Sequence, residues 1–195
     1  MASIRVVSVN VSLVQRVKMG DRWIPTGILK RAVDGPVVVG SLGLAGDEQA
    51  DPAYHGGLDK AVYAYPSEHY PFWLAKRQVQ TPAALFEPDQ PFGFMGENLS
   101  LQGLMESQVW LGDELHFPDC VLRVTAPRDP CGKFNAIMGY NAASRDMAME
   151  GCSGFYLAVE RMGSIEAGQS ATLAAGQRAV SVQEAFRAKF AKHVR

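Results

Sequence analysis

The sequence predicts a mainly β protein of the α+β kind, a barrel or sandwich with a few short peripheral helices and one C-terminal helix. Three observations carry that expectation. Apolar residues recur in short β-branched runs, several with a period of two. Glycine (19) and proline (11) make up about 15% of the 195 residues and punctuate those runs. Few segments show helical spacing, so strands must build the core.

Arg5 to Val14 alternates, with Val7, Val9, Val11 and Leu13 on one face and Ser8, Asn10 and Ser12 on the other. Trp23 to Val33 and Pro36 to Leu44 read as strands two and three, and Ala61 to Tyr65 as another. Ser67 is placed to cap a helix running through Tyr70 and Trp73 to about Arg77, with its aromatics in the core and His69 in a surface or packing role. Residues 78–92, with Pro82, Pro88 and Pro91, read as an irregular excursion. Gly93 to Ser100 is a glycine-bracketed polar turn that aims Asn98 at a pocket. Gln108 to Phe117 pairs with Val121 to Thr125 as a hairpin, and Asn141 to Met149 is a short helix. Gly154 to Glu160 and Gln169 to Leu173 are the last strands. Ser181-Val-Gln-Glu184 has capping-box form, and Val182, Ala185, Phe186 and Phe190 share one face of the final helix. Its other face, with Arg187, Lys189, Lys192 and Arg195, is basic.

Composition narrows the function. A net charge of -1 gives no electrostatic reason for a nucleic-acid or membrane partner. The three cysteines, Cys120, Cys131 and Cys152, form no CxxC pair, so a disulfide framework is not expected. Residues 1–20 lack signal-peptide character, and the longest charge-free run, Gly35 to Gly46, is too short to span a bilayer. The expected location is the cytoplasm.

The glycines at 35, 40, 43 and 46 form neither a dinucleotide fingerprint nor a phosphate-binding loop. Closely spaced Cys/His pairs for zinc are absent, as are a GxSxG elbow and an HExxH pair. The chemistry concentrates instead in Thr125-Ala-Pro-Arg-Asp-Pro-Cys-Gly-Lys-Phe134. There a cysteine on a proline-stiffened loop lies between Arg128 and Lys133, which favours its thiolate form. Cys131 has two readings: a packed thiol, or a thiolate that binds a soft metal or attacks an electrophile. His55, beside two glycines, is likewise a turn residue or a ligand. Lys30, Lys60, Arg128 and Lys133 add scattered cations suited to an anionic phosphate.

Taken together these residues resemble the MOSC domains, named for the C-terminal domain of molybdenum cofactor sulfurase. The matching pieces are Thr26-Gly-Ile-Leu-Lys30, Gly43-Leu-Ala-Gly-Asp47 with Gln49 and Asp51, and His55-Gly-Gly with Asp59-Lys-Ala61. Gly96-Glu-Asn-Leu99, Gly112-Asp113 and Pro127-Arg128 through Pro130-Cys131 with Lys133 complete the set in order. The chain is similar to the stand-alone bacterial branch that includes 6-N-hydroxylaminopurine reductase.

The resemblance implies a MOSC-type β-barrel over residues 1–178 that holds a molybdopterin-type molybdenum cofactor, with Cys131 as the metal ligand. It implies phosphate-binding roles for Arg128 and Lys30, secondary anion contacts for Lys60 and Lys133, and hydrogen bonding by Asn98 and His55 to a metal oxo group or substrate. Asp47 and Asp59 would order the glycine loops. The implied activity is reduction of N-hydroxylated compounds in detoxification, with electrons from a separate flavin or iron–sulfur reductase. A different class stands beside it: a non-enzymatic carrier of the cofactor, or of persulfide sulfur on Cys131. Relatives carry a three-helix module after the barrel, whereas residues 179–195 offer one helix, which packs on the barrel or on a second copy in a homodimer.

Overall fold

A computed structural model of the chain describes residues 3–19, 21–50, 56–81, 91–130 and 132–190. Its strands are β1 (Ile4–Val11), β2 (Gln15–Met19), β3 (Arg22–Thr26), β4 (Arg31–Ala32), β5 (Val37–Gly40), β6 (Gly43–Leu44) and β7 (Val62–Pro66). They continue with β8 (Leu99–Gln102), β9 (Glu114–His116), β10 (Val121–Pro127), β11 (Phe155–Arg161), β12 (Gly163–Ile165) and β13 (Ser170–Ala174). The helices are α1 (Tyr70–Gln80), α2 (Gly132–Met138), α3 (Ala143–Glu150) and α4 (Val182–Phe190), with 3₁₀ turns at Leu58–Lys60 and Ser67–His69.

Seven strands run in the order β13-β9-β10-β11-β7-β8-β1, and β1 pairs back onto β13 to close a barrel. Closure needs bent strands, and register shifts supply the bends between Val6 and Ser8 on β1 and at two places along β10. The described barrel pairs are antiparallel except β7 with β8. Parallel neighbours need a crossover, and the segment containing α1 provides it.

β7 is buried along its whole length, which identifies it as covered on both faces. Val62 and Ala64 point into the barrel, where they join Leu99, Leu101, Leu122, Phe155 and Leu157. Tyr63 and Tyr65 point outward into a second cluster with Trp73 of α1, Phe134 and Met138 of α2, Met147 of α3 and Phe186 of α4. Tyr156 on β11 follows the same alternation. The C-terminal helix is bound to both layers, because Val182 sits in the interior cluster and Phe186 in the outer one. The capping box forms: Ser181 Oγ lies 2.8 Å from the Glu184 carboxylate and accepts the Glu184 N–H at 3.2 Å. Two smaller sheets, β12-β5-β6 and the β2–β3 hairpin, stand outside the barrel.

Several expectations are corrected. The first strand ends at Val11, and Leu13 is 62% exposed. The shift after Val6 separates Val7 from Val9, so Val6 and Val9 share the core while Ser8 and Asn10 are buried as a hydrogen-bonded pair. The stretch Trp23 to Val33 is two strands with a break after Thr26, and Pro36 to Leu44 is a tight β5–β6 hairpin. Ser67 opens a 3₁₀ turn without a side-chain cap, and α1 continues to Gln80. β9 is confined to three residues. β8, β12 and α2 were not expected as elements.

Candidate functional site

Arg128 follows directly on β10, which ends at Pro127. Next to it lies a solvent-open cleft of about 630 Å³. Lys30, Lys60, Asn98, Arg128 and Lys133 all line this cleft, although 103 positions separate the first from the last. Five predicted side chains therefore converge. His55 and Cys131 lie outside the described residues.

The floor is an ion pair between Lys30 and Asp47, whose side chains are 7% and 2% exposed. Burial pulls the Lys30 ammonium below its ordinary value, while the charge of Asp47 and its hydrogen bond oppose that shift. Asp47 Oδ1 also accepts the Ser12 N–H at 2.9 Å, and Oδ2 accepts from Asn98 Nδ2 at 2.9 Å. Asn98 in turn donates to the Asn10 carbonyl at 3.3 Å and accepts the Tyr63 N–H at 3.0 Å. Both amide hydrogens of Asn98 thus end on protein atoms, and the side chain ties β1, β7 and Asp47 together at the mouth of the barrel. The backbone must approach closely here: Gly96 has φ +82°, and a Cβ on it would meet the Ile28 side chain at 2.8 Å.

Arg128 is 4% exposed and supported by rings. Its guanidinium lies 5.0 Å from the Tyr63 centroid and 5.4 Å from that of Phe134. The Lys60 ammonium sits 5.6 Å above Tyr156, whose ring is tilted against Tyr63 at 5.5 Å. The Lys133 ammonium donates to the Pro25 carbonyl at 3.1 Å and so links α2 to the base of the β2–β3 hairpin. Lys189 of α4 pairs with Asp129, two residues before Cys131.

Asp47 therefore does more than order a glycine loop, since it is the acceptor on which Lys30 and Asn98 meet. Tyr63 and Tyr156, expected only as strand positions, also line the cleft. The available signal was their alternation with Val62, Ala64, Phe155 and Leu157, which marks strands covered on both faces. Asp59 does not line the cleft, and its carbonyl accepts from Thr125 at 2.5 Å. His69, expected as a packing residue, has Nε2 2.8 Å from the buried Glu106 carboxylate. Glu97 is fully buried beside the site. Its Oε1 accepts from Tyr70, Ser100 and Gly93 at 2.5, 2.6 and 2.8 Å, and its Oε2 has no partner among the described residues. Burial raises its pKa, against the opposing effect of the Ser100, Tyr70 and Gly93 hydrogen bonds. Cys120 and Cys152 are free buried thiols, pushed by burial to about 11 and about 12. No helix among the described residues is long and apolar enough to cross a membrane.

The MOSC domain model matches residues 51–172. The uncharacterized protein YflK of Bacillus subtilis (strain 168) is 36% identical over 186 residues, which span 95% of this chain and 80% of that one. A Gibberella moniliformis protein named "Reductase" is 34% identical over 152 residues, 77% of this chain but only 26% of its own length. The crystal structure of YiiM from Geobacillus stearothermophilus superposes with a TM-score of 0.75 at 30% identity, covering 98% of this chain and 86% of that one. This chain belongs to the MOSC domain family.

Proposed function

We propose that this protein is a molybdenum-dependent reductase of N-hydroxylated compounds, N-hydroxylated purines among them, with Cys131 as the molybdenum ligand. The observation that carries the reading is the convergence of four cations and two tyrosines on one cleft, beside the segment that leads from Arg128 into Cys131. The donor set fits a molybdopterin-type cofactor. Lys30, Arg128, Lys60 and Lys133 line one cleft, and these cations would contact an anionic phosphate there. A relative named "Reductase" and a YiiM-like fold support a redox role.

The cofactor, when bound, would supply two-electron redox chemistry. Cys131 would hold it through a soft thiolate. Arg128, kept in place by the rings of Tyr63 and Phe134, presents a planar fork to the phosphate. Lys30, held by Asp47, would use its remaining N–H donors toward the anion. Asn98 fixes Asp47 and the start of β8, and His55 is a hydrogen-bonding candidate for the substrate. Per turnover, R–NH–OH takes up two electrons and two protons to give R–NH2 and water. The electrons come from a separate flavin or iron–sulfur reductase.

The test is steady-state reduction of 6-N-hydroxylaminopurine by cofactor-loaded protein with reduced methyl viologen as donor. Many turnovers per chain with the metal retained are expected. Loaded protein that fails to turn over, yet hands its cofactor or persulfide sulfur to an acceptor, would establish the carrier reading instead.

A further inference from the structure

We propose that the β2–β3 hairpin is the docking surface for an acidic electron-transfer protein, an inference that rests on the reductase reading above. The hairpin is a two-stranded sheet separate from the barrel. Arg16 pairs with Pro25 and Lys18 with Trp23, so these four share one face, and all four are exposed. Trp23 is 58% exposed. The other face carries the half-buried Val17, Met19 and Ile24, together with the exposed Arg22, which pairs with Met19 next to the turn. Two strands alone are marginal in water, and this hairpin presents its tryptophan and two cations together on the solvent-facing side.

Charge indicates what covers it. Gln15 to Arg22 carries Arg16, Lys18 and Arg22 against Asp21 alone, in a chain whose net charge is -1. Among the described residues no ion pair involves these three cations. Arg16 and Lys18 on the face of an exposed tryptophan, with Arg22 at the turn, fit an acidic protein surface, with charges steering the encounter and the ring anchoring it. Position indicates what the partner brings. Thr26 and Gly27, at the hairpin's end, line the cleft, and the Pro25 carbonyl accepts from Lys133. A protein seated on the hairpin therefore lies against the cleft wall. The reaction needs two electrons per turnover that its substrate does not hold, and a small flavin or iron–sulfur protein supplies them from that position.

The test uses an acidic flavodoxin as probe against the full, cofactor-loaded chain, comparing wild type with Arg16→Glu/Lys18→Glu/Arg22→Glu and with Trp23→Ala. Calorimetric titration should give at least about a tenfold rise in Kd for the triple variant, and wild-type binding should weaken as salt rises from about 50 to about 300 mM. Turnover driven by reduced flavodoxin should fall in both variants, while methyl viologen-driven turnover stays within about twofold. Flavodoxin affinity unchanged in the triple variant, or wild-type binding insensitive to salt, would overturn the proposal. So would wild type that binds anionic lipid vesicles but not flavodoxin, or variants that lose both donors equally. Wild type inactive with methyl viologen would instead overturn the reductase reading, whatever the binding data show.

Discussion

The barrel interior and the layer between barrel and helices are packed from different residues, and only the second borders the cleft. The interior is chiefly aliphatic, with Leu99, Leu101, Leu115, Leu122 and Leu157 fully enclosed. The outer layer is aromatic and directional. Trp73 donates to the Tyr65 hydroxyl at 2.6 Å, Tyr65 to the Cys152 carbonyl at 3.1 Å, and Tyr63 to the Ser153 carbonyl at 2.8 Å. Aliphatic packing tolerates many residue combinations of the right volume, whereas anchored rings hold one geometry. The difference teaches that the barrel sets the frame and the outer layer sets the site, through Tyr63 and Phe134 against Arg128.

Truncation in each layer breaks that comparison most forcefully. Phe134→Ala should lower stability by about 3–5 kcal/mol and Leu122→Ala by about 2–5 kcal/mol in urea titrations. Among molecules that remain folded, Phe134→Ala should also weaken cofactor retention, because Arg128 loses a supporting ring, while Leu122→Ala should not. Equal retention would dissolve the distinction between the layers.

The two buried carboxylates at the boundary offer a finer test. Asp47 is paired with a cation, whereas Glu97 has three donors on one oxygen and no ion-pair partner among the described residues. Asp47→Asn leaves the Lys30 ammonium buried without its counter-charge and should lower stability by about 3 kcal/mol, most of which Asp47→Asn/Lys30→Met should restore. Failure of the double variant to recover would mean that Asp47 acts mainly through Ser12 and Asn98. Glu97 should behave differently with pH. Its pKa is raised above 4.5 in the folded state, so the folded protein holds that proton more tightly. That stabilisation is complete below pH 4.5 and is lost as pH rises through the folded value. Glu97→Gln, neutral throughout, should therefore gain on wild type as pH rises above 4.5. A pH-independent difference between the two would contradict a raised Glu97 pKa.

The barrel was legible in the sequence because short apolar runs such as Ala61 to Tyr65 survive as strands nearly unchanged. What escaped was set by tertiary pairing. The bulge at Val6 to Ser8 turns Val6 inward in place of Val7 while Val9 keeps its expected face, and no local pattern announces it. β8 and β12 are short, and they exist because a partner strand lies beside them. The site was legible as a set of cations and an asparagine in motif order, and five of those side chains share the cleft. Their partners were not. Lys30 and Asp47 are 17 positions apart, and Asn98 and Asp47 are 51, so which acceptor each donor meets depends on barrel closure.

The central claim is thiolate ligation by Cys131, and the most direct measurement is molybdenum per chain, with fluorescence of the oxidised pterin. Wild type and Cys131→Ala from a cofactor-producing host would be compared. The account predicts near one metal per chain in wild type and little in the variant, with both proteins folded. Equal molybdenum in both proteins, or neither metal nor pterin in wild type even after reconstitution with free cofactor, would contradict it.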